Sequence, residues 1–362
     1  MNLAPAGWCQ IGLGYFAIKM GNKERHCQKP GLWHNQTTVP KTLTLLSKNP
    51  WDNQFITEVA KGTGLIVEVA QDPIDAAKMI LSSSPVATFV ALDQDTDYMA
   101  FESAVQEAVG LFSDHLNSNS VYFISDRDMG EFPSLASSPI FGNYIQRCQE
   151  APGSAGKYFV QTFRHSLKPR AFGLEGLLGE GTKIQVVKLN SSGLRDQAIQ
   201  AVADFCKAAK MHKRIASLVS LALDELLMNA IYDAQIDDLG RLVHKKTPRH
   251  TVFPLEGPSA VEFHLGYNGQ VLGVTVVDNW GSLEKPELLT HLLKSYQGTN
   301  YEARASQVSA GLGLGSLCRA GANLYFASES RVRTEVSALF RCSDGYREFR
   351  GQTRFVSAQF YF

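Results

Sequence analysis

The sequence predicts an α/β protein in two parts, a parallel-sheet domain followed by an α+β sandwich. Three observations carry this. Over residues 39–163, short apolar runs alternate with helical patterns, as in a parallel sheet covered on both faces. Residues 164–182 hold several glycines and a proline, the composition of a linker. Beyond it, Asn268-Gly269 separates two strand patterns, a strong hairpin signal, and helices are expected on one side of a mainly antiparallel or mixed sheet. The expected division is a leader over 1–38, an α/β domain over 39–163, a linker over 164–182 and a second domain over 183–362.

The leader leans basic from Lys19 onwards and reads as disordered, or as sequence upstream of a start at Met20. In the first domain, strands are expected at Thr42–Leu46, Leu65–Ala70, Val86–Asp93, Val121–Ser125 and Lys157–Phe163. Between them fall helices at Asn53–Ala60, after the Asp72-Pro73 start signal, at Tyr98–Leu116 and at Ile140–Cys148. In the second domain a strand at Lys183–Leu189 precedes a helix at Leu194–Ala209 and a long helix opened by Ile215. The hairpin and a helix at Glu284–Lys294 follow. A polar stretch, 296–310, leads to a helix start at Leu314–Ala320, and at least three strands close the chain.

Composition narrows the function classes. Apolar residues make up 44% and charged residues 19%, so packed cores are expected. The formal net charge of zero gives no electrostatic reason to expect nucleic acid or an anionic membrane as partner. Six cysteines without a CxxC pair suit reduced thiols and a cytoplasmic protein. No uninterrupted apolar run reaches the ~20 residues of a membrane span.

Three stretches carry chemistry. In Leu221–Ala234, Glu225, Asn229 and Asp233 recur every fourth residue along one shoulder of an apolar helical stripe. A carboxylate there can orient water or accept a proton, and an amide oxygen suits magnesium. At the end of a strand, Asp278 and Gly281 form a turn in which a buried carboxylate can accept a hydrogen bond from an adenine amino group. Gly311, Gly313 and Gly315 then alternate before a helix, so backbone N–H groups and the positive helix end suit phosphate.

In this order, and with Thr334 on a following strand, the three stretches resemble the GHKL superfamily of ATPases over roughly Lys183–Arg341. The resemblance implies bound ATP and Mg2+. It makes Glu225 the catalytic or water-orienting acid and Asn229 the magnesium ligand. Asp278, Gly281 and Thr334 would serve the adenine side, Gly311, Gly313 and Gly315 the phosphates, and 296–310 the lid. Trp280 stands where the family has its first glycine, and its indole can stack on the base or fill the pocket. The layout is most similar to the anti-sigma-factor serine kinases, although Asp233 stands where their NAxxHA pattern has its histidine. That resemblance implies a protein partner, a sigma-factor or antagonist-like regulator, and is compatible with a homodimer. The alternatives are a non-catalytic interaction scaffold and a histidine kinase acting in trans, for which His212 is the one histidine on the preceding helices. The first domain resembles a response-regulator receiver in pattern. That resemblance makes Asp93 a phospho-acceptor candidate, but Ser47-Lys48-Asn49 stands where a receiver keeps its metal-binding acids.

Overall fold

In the computed structural model, the described residues are 41–110, 117–297, 312–342 and 355–362. The expected leader, Gly311 and most of the expected lid lie outside them. The first four strands are β1 (Thr42–Leu46), β2 (Ile66–Val69), β3 (Ala87–Ala91) and β4 (Val121–Ser125). Helices α1 (Pro50–Thr63), α2 (Pro73–Ser83) and α3 (Asp95–Val109) connect them, apart from a 3-10 turn at Ser118–Ser120. The starts of α1 and α2 follow local rules. Asn49 accepts from the Trp51 N–H at 2.9 Å and Asp72 from the Asp75 N–H at 2.8 Å, each with proline next in the chain.

Two expected elements change type. Ile140–Cys148 does not form a helix. It contains β5 (Asn143–Gln146), parallel to β4. A Cβ on Gly142 would fall 1.8 Å from the Ser118 carbonyl, and the Asn143 amide reaches the Asn119 and Val121 carbonyls, so tertiary contacts fix the extended chain. Lys157–Phe163 is not a strand but part of α4 (Pro152–Ser166). Pro152 opens that helix, and Phe159 and Phe163, one turn apart, are buried together against α1 and the sheet.

The expected linker is also packed structure. It completes α4 and then forms α5 (Leu174–Leu178), whose leucines are buried on the sheet. Gly266 and Gly273 make room for them, since a Cβ at either would come within 2.7 Å of a methyl of Leu174 or Leu178. Next come β6 (Ile184–Leu189), α6 (Arg195–Ala208), α7 (Lys213–Met228) and a π-helical turn at Asn229–Asp233. The hairpin is β7 (Val261–Tyr267) and β8 (Val271–Asp278). It is followed by α8 (Lys285–Gln297), α9 (Leu312–Arg319), β9 (Asn323–Glu329), β10 (Arg333–Arg341) and β11 (Val356–Tyr361).

The fold is α/β, with one mixed sheet of order β2-β1-β3-β4-β5-β11-β9-β10-β8-β7-β6. The first five strands are parallel. The last strand, β11, enters between the expected domains, antiparallel to β5 and parallel to β9. The sheet therefore runs unbroken past the expected boundary, and residues 41–362 form one compact unit. Helices α2, α3, α6, α7, α8 and α9 share a core on one face, while α1, α4 and α5 cover the other. The second half thus has a helix on each face, not on one face alone. The helical stretch Lys213–Asp233 is long and apolar enough to cross a membrane by length and composition. Here its apolar stripe packs against β8, β10 and α9.

Candidate functional site

The site is built around α7. Val219, Ala222, Leu223, Leu226 and Leu227 are buried, which leaves Glu225 and Asn229 half-buried on the shoulder of the stripe. The π turn begins at Asn229, a local widening of the helix that often marks functional sites. Asp233 does not extend the row as a free carboxylate, because Arg249 holds both its oxygens at 3.1 and 3.0 Å. Tyr232 donates to the Arg249 carbonyl at 2.7 Å, and the Arg249 guanidinium lies 4.7 Å from its ring centre.

Asp278 ends β8, a strand buried along its whole length between β7 and β10. Its carboxylate accepts from the Trp280 N–H at 2.9 Å. Burial pushes this carboxyl up to about 6, against the pull of the Trp280 and Gly281 N–H groups. Thr334 is its direct partner across the β8–β10 ladder. The Thr334 hydroxyl is buried without a well-formed hydrogen bond among the described residues, and adds a weaker pull. A buried, orphaned hydroxyl beside a buried carboxylate is the kind of polar pair a ligand can satisfy.

The glycines have physical roles the sequence could not separate. Gly281 has φ +54°, and a Cβ there would lie 2.0 Å from the Glu329 carbonyl oxygen. Its freedom is used by the β9–β10 turn, whose Arg331 N–H donates to the Gly281 carbonyl at 3.1 Å. Ser282 ties the same turn to the end of the π segment, donating to the Ala234 carbonyl at 2.6 Å. Gly313 and Gly315 lie inside the first turn of α9, not in a loop before it. A Cβ on Gly313 would come 2.5 Å from the Glu225 carboxyl carbon, and one on Gly315 would come 2.0 Å from Ser295 Oγ on α8. The two glycines let α9 settle onto α7 and α8. The Glu225 carboxylate is thereby set beside a helix start, where the dipole favours negative charge.

No family model matches the chain. No curated protein matches it either. Among solved structures, the chain is similar to the one titled "Structure of the Legionella pneumophila response regulator LqsR", at 12% identity over 84% of this chain and 88% of that one, with a TM-score of 0.26.

The structure sets Gly313 against Glu225, one turn before Asn229 on α7, places Asp278 opposite Thr334, and ties the turn after Gly281 to the end of the π segment, while Gly315 faces Ser295 on α8. His212 is exposed and caps α7, accepting from the Arg214 N–H at 3.2 Å. Two cavities, of about 700 and 180 Å³, open on the opposite face of the sheet and touch none of these residues. For magnesium, Glu225 and Asn229 offer oxygen atoms one helical turn apart, a hard donor set that leaves positions for water and phosphate.

Asp93 belongs to a second cluster, past the C-terminal ends of β1, β3, β4 and β5. Arg147, buried at the end of β5, reaches Asp93 at 2.6 Å, pairs with Asp126, and holds Asp52 in the first turn of α1. Burial alone would lower the Arg147 pKa. The ion pairs to Asp52 and Asp93 outweigh this, so the guanidinium is held charged more firmly than usual. Its positive charge stands where a magnesium ion would have to sit among these acids, so the cluster does not fit a metal. Asp52, Asp126 and Arg147 were not singled out by sequence. A strand reading of Asn143–Gln146 would have placed Arg147 at a strand end facing Asp93.

Proposed function

We propose that this chain is a cytoplasmic signalling regulator whose second half binds ATP with magnesium and acts as an ATP-dependent switch on a protein partner. The observations that carry the reading are the meeting of the Glu225 carboxylate with Gly313 in the first turn of α9 and the buried Asp278–Thr334 pair at the ends of β8 and β10. Asp278 would accept from the adenine amino group, Thr334 would support it, and the first-turn N–H groups of α9 would meet phosphate oxygens. Asn229 would hold magnesium, which neutralises phosphate charge when bound. The GHKL-type reading of this half draws on these same residues. The receiver-like reading of the first half draws on the parallel order β2-β1-β3-β4-β5, the order of flavodoxin-like sheets. With Arg147 among its acids, that half suits protein contact better than phosphoryl acceptance at Asp93.

A second reading, a serine/threonine kinase of the anti-sigma type, is favoured by the half-buried Glu225 carboxylate, which could take the proton of a substrate hydroxyl. Thermal denaturation with millimolar ATP and magnesium tests the first reading. The native chain should be stabilised and Asn229→Ala should not. Absence of any shift in the native chain would leave a contact scaffold as the function. Transfer of labelled phosphate to a partner protein would add the kinase reading to the switch.

A further inference from the structure

The cavity of about 700 Å³ opens at the sheet end where β3 and β4 begin and β9 and β11 finish. It lies on the face covered by α4 and α5, away from α7. Its volume is that of a small-molecule site. Tyr122, Ser166 and Tyr361 line one wall, and their hydroxyls form a connected chain. Tyr122 Oη lies 2.7 Å from Tyr361 Oη and 3.2 Å from Ser166 Oγ. The outer partners set the direction of the protons. Ser166 donates to the Phe163 carbonyl at 2.7 Å and Tyr361 to Gln359 Oε1 at 3.0 Å. Tyr122 is then left to donate to one of its two neighbours, and every proton of the chain is used inside the protein. The spare capacity of this wall is oxygen lone pairs, which accept.

The rim has the opposite character. Lys168 and Arg170, on the segment between α4 and α5, are exposed and form no ion pair among the described residues. The amides of Asn117 and Asn119 stand nearby as further polar groups. Glu329, also exposed, lines the same cavity, but the two cations outnumber it. An excess of cations at the mouth and acceptors within ask for a ligand with both complements. We propose that this cavity binds a small anion bearing hydroxyl or amino groups. Its carboxylate or phosphate meets Lys168 and Arg170, and its donors meet Tyr122, Ser166 and Tyr361.

Calorimetric titration of the full chain with glucose 6-phosphate, gluconate and glucose tests this and separates phosphate from carboxylate as the anionic group. At least one of the two anions should bind with a sub-millimolar dissociation constant, and glucose should bind at least about tenfold more weakly. The double variant Lys168→Ala/Arg170→Ala should keep its melting temperature, since both positions are exposed, and should lose about tenfold or more in affinity. Ser166→Ala should weaken binding while leaving the preference for anions intact. No heat from either anion at millimolar concentration would overturn the proposal. So would binding that is unchanged in the double variant, or glucose binding as tightly as its anionic relatives.

Discussion

Arg147 grips Asp52 through two nitrogens, Nε to Oδ1 at 2.8 Å and Nη2 to Oδ2 at 2.9 Å, with both side chains almost wholly buried. Ser47 adds a hydroxyl to the same carboxylate at 2.6 Å. Removing one partner strands a buried charge, which costs about 3–5 kcal/mol. Asp52→Ala and Arg147→Ala should therefore both be strongly destabilising in chemical denaturation. Asp93→Ala, whose carboxylate is more than half exposed, should cost no more than about 1 kcal/mol. A large loss for Asp93→Ala would mean that this pair has a structural role the exposure argument denies. Titration of the native chain with magnesium should leave the Arg147 cluster unchanged.

Phe360 on β11 stacks on Phe326 of β9 at 5.1 Å and touches Phe141 before β5 at 5.8 Å. One side chain thus joins the two halves of the sheet, and its truncation should cost about 3–5 kcal/mol. Because the sheet is continuous through β11, thermal unfolding followed by near-ultraviolet and far-ultraviolet signals should show one coincident transition. Phe360→Ala should lower it as a whole. Two separate transitions in the native chain would restore the picture of two independent domains.

The parts of the fold that were legible in the sequence are those set by local chemistry. The Asp72-Pro73 start signal, the Asn268-Gly269 turn and the apolar stripe of α7 all act within a few residues, whereas the Asn49-Pro50 start of α1 went unread. Lys157–Phe163 and Ile140–Cys148 were not legible, because short apolar runs have no period of their own and tertiary contacts decide them. The placement of β11 beside β5 pairs residues more than two hundred positions apart, which no local pattern reports. Likewise, Glu225 and the glycine run could be named, but the contact of Glu225 with Gly313 follows from α9 lying on α7. Arg147 was hidden by the helix misread around it.

Asp278 gives a pH-dependent prediction. An acid whose pKa rises on folding, here from 3.8 to about 6, holds its proton more tightly folded than unfolded. The carboxyl therefore costs no stability below about pH 4, and its full cost, about 3 kcal/mol, is present above about pH 6. Asp278→Asn keeps an acceptor for the Trp280 N–H and removes the charge. At neutral pH it should be more stable than the native chain by up to about 2 kcal/mol, an advantage that disappears towards about pH 4. The same variant should lose stabilisation by ATP. A variant that is less stable at neutral pH would show that the buried charge is compensated by groups other than Trp280, Gly281 and Thr334.

Gly281 and Gly313 should respond differently to alanine. At Gly281 the new Cβ meets backbone of the β9–β10 turn and the residue is held at φ +54°, so neither neighbour nor chain can yield cheaply. Gly281→Ala should destabilise by several kcal/mol, about the cost of a forced backbone shift. At Gly313 the new Cβ meets the end of a flexible side chain, Glu225, and alanine is the better helix former by about 1 kcal/mol. Gly313→Ala should leave the melting temperature within a few degrees of the native value while pushing the Glu225 carboxylate off the start of α9. If Glu225 orients the attacking hydroxyl or water, Gly313→Ala and Glu225→Gln should lose ATP turnover alike and both keep a thermal shift with ATP. Equal turnover in the native chain and in Glu225→Gln would remove Glu225 from the chemistry and leave the contact with Gly313 as packing alone.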